Sequence, residues 1–328
     1  MRFPTHRPRR LRSNSALRDL VAETSIAPSD FIMPYFVLED APEPLEIPSL
    51  PGVYQHTLSS LSADIKEIKA LGIRAVILFG VPKHKDSVGS GAYASDGVVQ
   101  RAIAQVKDSF GDEVVVFADL CLDEYTDHGH CGLIDAKGHV DNDSTLELYA
   151  QIAISQALAG VDFVAPSGMM DGQVDAIRKA LDRESMSEVG ILAYSAKYAS
   201  GLYGPFRDAV NVEIRGGGDR KAYQQDYRNA SESIREVLLD IEEGADMVMV
   251  KPAISYLDII SKVSEVSSVP LCAYHVSGEY AMVKAASEKG WIDGEAVALE
   301  QMYAVRRAGA DMVITYFAKD LAKTMQRC

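Results

Sequence analysis

The sequence predicts an α/β fold, a (β/α)8 TIM barrel with an extended N-terminal arm. Three observations carry that expectation. There are eight short apolar runs, amphipathic segments between most of them, and a helix–glycine–strand junction that recurs along the chain. The runs are FIMPYFV (31–37), AVILFG (75–80), VVVFADL (114–120), VDFVAPS (161–167), GILAYSA (190–196), ADMVMVK (245–251), PLCAYHV (270–276) and ADMVITYF (310–317). Near-continuous apolarity over about six residues marks parallel strands covered on both faces.

The intervening segments LSADIKEIKALG (61–72), VVQRAIAQVKDSFG (98–111), TLELYAQIAISQALAG (145–160), SIREVLLDIEEG (233–244) and AVALEQMYAVRRAG (296–309) show helical spacing. Each ends at a glycine suited to a helix C-terminus. The junction reads EVLLDIEEGADMVM at 236–249, QMYAVRRAGADMV at 301–313 and, in shorter form, QALAGVDFV at 156–164. Such a repeating unit with eight strands favours the barrel. An open doubly wound sheet is the alternative, but no G-x-G-x-x-G follows an early strand. No linker divides the chain. Residues 1–25 read as an arm and 26–328 as one catalytic barrel.

Composition narrows the function classes. A 328-residue chain with 47% hydrophobic residues can fill a large core, and a net charge of −14 argues against nucleic acid or an acidic membrane as the main partner. The pI near 5.0 agrees. No apolar run approaches a membrane span, and the start MRFPTHRPRRLRSNSALRDL has no apolar signal core. It reads as a basic, partly disordered arm. Cys121, Cys131, Cys272 and Cys328 form no disulfide framework, which fits a reducing cytoplasm.

A barrel places its chemistry where the strands end. Two of these ends carry lysine: Lys197 in LAYSAKYAS and Lys251 in MVMVKPA. Desolvation and a neighbouring cation both lower an amine's pKa, and a neutral amine forms a Schiff base with a ketone. The competing reading pairs each lysine with a carboxylate or lets it reach solvent. Two lysines on adjacent strands favour chemistry. Residues 198–231 lack periodicity and read as a basic lid, with Arg207, Arg215, Arg220, Lys221 and Arg228 to grip an anionic substrate and Gly216, Gly217 and Gly218 as hinge. In CLDEYTDHGHC (121–131), Cys121, Asp123 and Cys131 could give three ligands and leave an open metal position. Thiolates favour zinc and the carboxylate magnesium. The spacing matches no standard zinc finger, so buried cysteines beside an acidic loop explain it equally well.

Six stretches in order, LAYSAKYAS, YGPFRDA, GDRKAYQ, MVMVKPA, VSGEYAM and ITYF, closely resemble the 5-aminolaevulinate dehydratase (porphobilinogen synthase) family, and the resemblance spans essentially the whole chain. It implies condensation of two 5-aminolaevulinate molecules into porphobilinogen with loss of water, the first common step towards haem, chlorophylls and cobalamin. It also implies a homo-octamer whose arms embrace neighbouring subunits. Lys197 and Lys251 would each hold one substrate through its ketone. Arg207, Arg220 and Gln224 would grip one carboxylate, Ser277 and Tyr316 the other, and Asp119 would face the substrate. Glu236 matches a position where family members bind regulatory magnesium. Two departures stand out. The metal loop is a hybrid of zinc and magnesium types, with Asp123 between two cysteines, leaving zinc, magnesium and no metal open. Gly168 stands where the family usually has Asp. A class I aldolase is a weaker alternative, because it needs one lysine. A metal-binding scaffold on a dead barrel would form no adduct with a keto acid.

Overall fold

The computed structural model describes residues 2–215 and 218–326. Its strands are β1 (Phe31–Leu38), β2 (Leu45–Glu46), β3 (Tyr54–His56), β4 (Ala75–Val81), β5 (Val115–Leu120), β6 (Phe163–Pro166), β7 (Gly190–Lys197), β8 (Met247–Lys251), β9 (Leu271–His275) and β10 (Met312–Thr315). Eight of them, β1 and β4 to β10, are parallel neighbours in chain order. Pairing of Phe31 with Val313 and Ile32 with Ile314 joins β10 back to β1 and closes the barrel. Each predicted run supplies one barrel strand. β2 and β3 form a small antiparallel pair, and β3 lies against the end of β1.

The helices are α1 (Ser15–Leu20), α2 (Leu58–Ala70), α3 (Val98–Phe110), α4 (Asn142–Leu158), α5 (Gln173–Arg183), α6 (Gly204–Ala209), α7 (Ser231–Glu242), α8 (Leu257–Val266), α9 (Ser277–Glu288), α10 (Gly294–Arg307) and α11 (Ala318–Met325). All but α1 and α6 follow a barrel strand or extend its return path. Thr57, Asp141 and Asp293 accept backbone N–H groups of the first turns of α2, α4 and α10. Such caps contribute about 1 kcal/mol each. Leu61, Ile65 and Ile68 form the buried face of α2, matching the spacing read from the sequence.

The recurring junction has a physical cause beyond its glycine. Gly244 and Gly309 lie at φ 105° and 113°, where a side chain would be strained. The aspartate two residues later then folds back onto the preceding barrel strand. Asp162 accepts from Val116 N, Asp246 from Ile191 N and Asp311 from Leu271 N, at 2.7, 2.8 and 2.8 Å. These carboxylates satisfy donors at the N-terminal rim, the face of a barrel that serves stability. They also explain why β6 begins at Phe163 rather than Val161.

Within the arm, residues 8–12 form a 3-10 helix and Ser15–Leu20 form α1, so this stretch has more local structure than its composition predicts. Asn14 caps α1 by accepting from Leu17 N at 2.9 Å. Phe3, Leu11 and Leu20 are exposed. Among the described residues no helix is long and apolar enough to cross a membrane. Cys328 lies outside the described residues, and Cys121, Cys131 and Cys272 are free and buried.

Candidate active site

Lys197 is the last residue of β7 and Lys251 the last of β8, and the two stand opposite each other in the parallel register. Both are buried. Their amines share one aromatic ring: the Tyr194 centroid is 5.5 Å from Lys197 Nζ and 5.0 Å from Lys251 Nζ. Lys251 is further enclosed by Tyr274 at 4.2 Å, Phe206 at 5.2 Å and Tyr203 at 5.4 Å. Lys197 donates to the Ser167 carbonyl. Among the described residues no carboxylate forms a salt bridge with either amine. The reading of each lysine as a structural ion pair is therefore not met.

Burial, helped by the charge of Lys197, lowers the Lys251 pKa to about 7. This has a pH consequence of definite sign. The amine is protonated and unreactive below that value and free above it. Adduct formation at Lys251, measured by cyanoborohydride trapping with a keto acid, should rise about tenfold per pH unit up to roughly pH 7 and then level off. A rise continuing through pH 9 would mean an ordinary lysine.

Asp119, near the end of β5, faces both lysines. Burial lifts its carboxyl to about 6, with Lys197 and Lys251 pulling the other way and Asp123 adding to the rise. Its Oδ2 accepts from Ser167 Oγ at 3.2 Å, while Oδ1 is buried without a partner. A carboxyl held near neutrality beside an amine of similar pKa is suited to passing protons.

Beyond Asp119, the chain places Cys121, Asp123 and Cys131 so that their ligand atoms lie within 4.8 Å of one another, all buried. Burial raises the Cys121 thiol. Cys131 feels the same burial but is lowered, because Cys121 and Arg220 stabilise its thiolate. Burial also opposes charge on Asp123, yet Arg220 and Lys197 outweigh it and hold this carboxyl well below its usual range. Two sulfurs and one ionised oxygen in a compact set can take a divalent cation.

Tyr149 braces this loop, a role the sequence alone did not reveal. Its hydroxyl donates to the Cys131 carbonyl at 2.7 Å and lies 3.7 Å from Cys121 Sγ. It also explains Gly168. A Cβ on that residue would sit 1.6 Å from the Tyr149 hydroxyl, so the space of any side chain there is already filled.

The lid is more structured than predicted. Gly201–Tyr203 forms a 3-10 turn that leads directly into α6. The hinge residues Gly216 and Gly217 lie outside the described residues. The lid's basic residues also divide by role. Lys221 and Arg228 pair with Asp219 and Asp226 at the surface, and Arg215 pairs with Asp127. Only Arg220 is buried. Its Nη2 meets Asp123 Oδ2 and the Gly129 carbonyl, each at 2.8 Å. Arg220 Nε and Gln224 Nε2 are buried without partners. Unpaired buried donors cost about 1–3 kcal/mol each, so their presence in the lid, with Arg220 against the Asp123 loop, is a mark of a polar ligand. Arg207, on α6, is half-buried and lines a cavity of about 600 Å³ with Lys85 and Arg215.

On the Lys251 side, Ser277 opens α9, and its hydroxyl accepts from Phe206 N at 3.0 Å, linking that helix to the lid. Tyr316 follows β10, and its hydroxyl is 3.1 Å from that of Tyr274, the ring nearest Lys251. Glu236 stands apart on α7, lining a cavity of about 570 Å³ with Asp171 and Glu232. Burial and those two carboxylates raise its pKa.

The sequence and fold both have relatives. The family model for delta-aminolevulinic acid dehydratase matches residues 5–324. A protein of Streptomyces coelicolor with that name is 53% identical over 99% of this chain and 98% of its own length. Another from Synechococcus elongatus is 52% identical over 98% of this chain and 99% of its own. A crystal structure of delta-aminolevulinic acid dehydratase from Toxoplasma gondii ME49, in complex with the reaction product porphobilinogen, superposes with a TM-score of 0.96 at 46% identity. It covers 98% of this chain and 92% of that one. The chain belongs to the delta-aminolevulinic acid dehydratase family.

Proposed function

We infer that this protein is a porphobilinogen synthase, a hydro-lyase that condenses two 5-aminolaevulinate molecules into porphobilinogen with loss of water. The observation that carries the reading is the pair of buried lysines in register, because two amines at one pocket match two ketone substrates. The neutral Lys251 amine attacks one ketone carbon. The carbonyl oxygen leaves as water once it has taken up protons, and a C=N bond remains. Lys197 holds the second ketone in the same way. Asp119 takes up or returns a proton at the reacting carbons, having one free oxygen and a pKa near neutrality. Arg207, Arg220 and Gln224 grip one substrate carboxylate, and Ser277 and Tyr316 the other. The aromatic walls exclude water that would hydrolyse the imines.

Zinc or magnesium would be held by Cys121, Asp123 and Cys131 and would supply a fixed positive charge beside the Lys197 substrate. The hard oxygen among two sulfurs weakens preference for zinc. Glu236 is the proposed ligand of a regulatory magnesium, supported by its crowding with Asp171 and Glu232. The exposed apolar residues of the arm support its docking on a neighbouring subunit in a homo-octamer. A cytoplasmic location fits the three free buried cysteines.

The assay is incubation with 5-aminolaevulinate and detection of the pyrrole after chelation and separate return of zinc or magnesium. Pyrrole formation with at least one treatment is expected. No product under any of them would refute the function, and rescue by zinc alone would refute magnesium at the loop.

A further inference from the structure

Asp123 and Arg220 enter the reading above with separate duties, one as a metal ligand and one as a substrate grip. In the structure they are partners. The guanidinium and carboxylate meet at 2.8 Å, and their side chains are only 7% and 4% exposed. The same arginine nitrogen also reaches the Gly129 carbonyl. Both contacts lie in the loop that follows β5. Arg220 therefore fastens the lid to the metal loop. Weaker neighbours follow the same seam: the Tyr223 hydroxyl accepts from Cys131 N at 3.4 Å, and Arg215 N donates to the His128 carbonyl at 3.2 Å.

The geometry of the guanidinium is informative. Asp123 and Gly129 occupy one nitrogen, while Nε remains buried with no acceptor. A buried arginine held on one side and unsatisfied on another is preset for a second anion. We propose that Asp123 is a positioning residue: its carboxylate holds Arg220, and with it the lid, in place before substrate arrives, and leaves the remaining donor for the substrate carboxylate. A thiolate at this position would not offer the hard, charged oxygen that Arg220 Nη2 meets here. The aspartate thus gives the loop a function that does not depend on a metal. The inference rests on Arg220 being a carboxylate grip.

The test uses the full-length protein, substrate-free and chelated, with Asp123→Asn and, from the lid side, Arg220→Gln. Backbone amide exchange over 218–224 should rise about tenfold or more in each. The double variant should show little further rise, as expected for two members of one contact. Asp123→Asn should also weaken binding of 4-oxopentanoate, a keto acid, by about tenfold. Trapping of butanone, a ketone with no carboxylate, should fall much less when compared at pH 9, where the Lys251 amine is free with or without the Asp123 charge. Exchange and keto-acid binding equal to wild type in both chelated variants would overturn the proposal and leave Asp123 a metal ligand only. Equal loss for the keto acid and butanone would overturn it too, since that points to general damage of the pocket. Amide exchange needs no turnover, so its outcome stands apart from any failure of the wild type to make porphobilinogen.

Discussion

Replacing Lys251 with alanine should lower kcat by about 10⁴-fold or more, leaving the fold intact. The size follows from the role. Removal of a covalent nucleophile takes away a reaction path rather than a stabilising contact, and losses of this order are usual. The fold should survive because Lys251 makes no salt bridge among the described residues, and its removal relieves Lys197 of a repelling charge. Comparison of kcat and circular dichroism with wild type checks both halves. A loss below about tenfold would remove Lys251 from the nucleophile role.

Lys197→Ala should cost about 10³-fold in kcat, or roughly 4 kcal/mol of barrier. Lys251 can still form its imine in this variant, but the second ketone has no covalent anchor and must react from a loosely held pose. Loss of a fixed near-attack geometry is worth several kcal/mol. The variant should therefore separate the two half-reactions: a keto acid is still trapped at Lys251, while pyrrole formation nearly stops. Trapping at Lys251 should also shift to higher pH, because the Lys197 charge helps to lower the pKa of its neighbour and its removal lets that pKa rise. Equal loss of trapping and pyrrole formation would mean that Lys197 supports Lys251 rather than a second substrate.

The barrel was legible because its strands are covered on both faces, and such burial leaves an apolar run in the sequence. Lys197 and Lys251 were legible for the complementary reason that a charge at the end of such a run is costly. What stayed hidden depends on contacts between distant segments. Tyr149 looks like any aromatic residue on a helix, yet it fills the space above Gly168 and braces Cys131. Tyr194 and Tyr274 lie in strand runs where inward-facing aromatics resemble core, so the cage around Lys251 left no signature. The lid's arginines looked equivalent in the sequence. Only the fold separates Arg220, buried on Asp123, from Arg228, paired with Asp226 at the surface. The junction aspartates were visible as a repeat, but their bonds to the preceding strand required the closed sheet.

The central claim is that two amines in one pocket each engage a substrate ketone. Borohydride reduction of the wild-type protein during turnover with 5-aminolaevulinate, followed by peptide mass spectrometry, tests it most directly. The account predicts reduced adducts on the peptides containing Lys251 and Lys197. Absence of an adduct from either peptide, or adducts confined to other lysines, would contradict it.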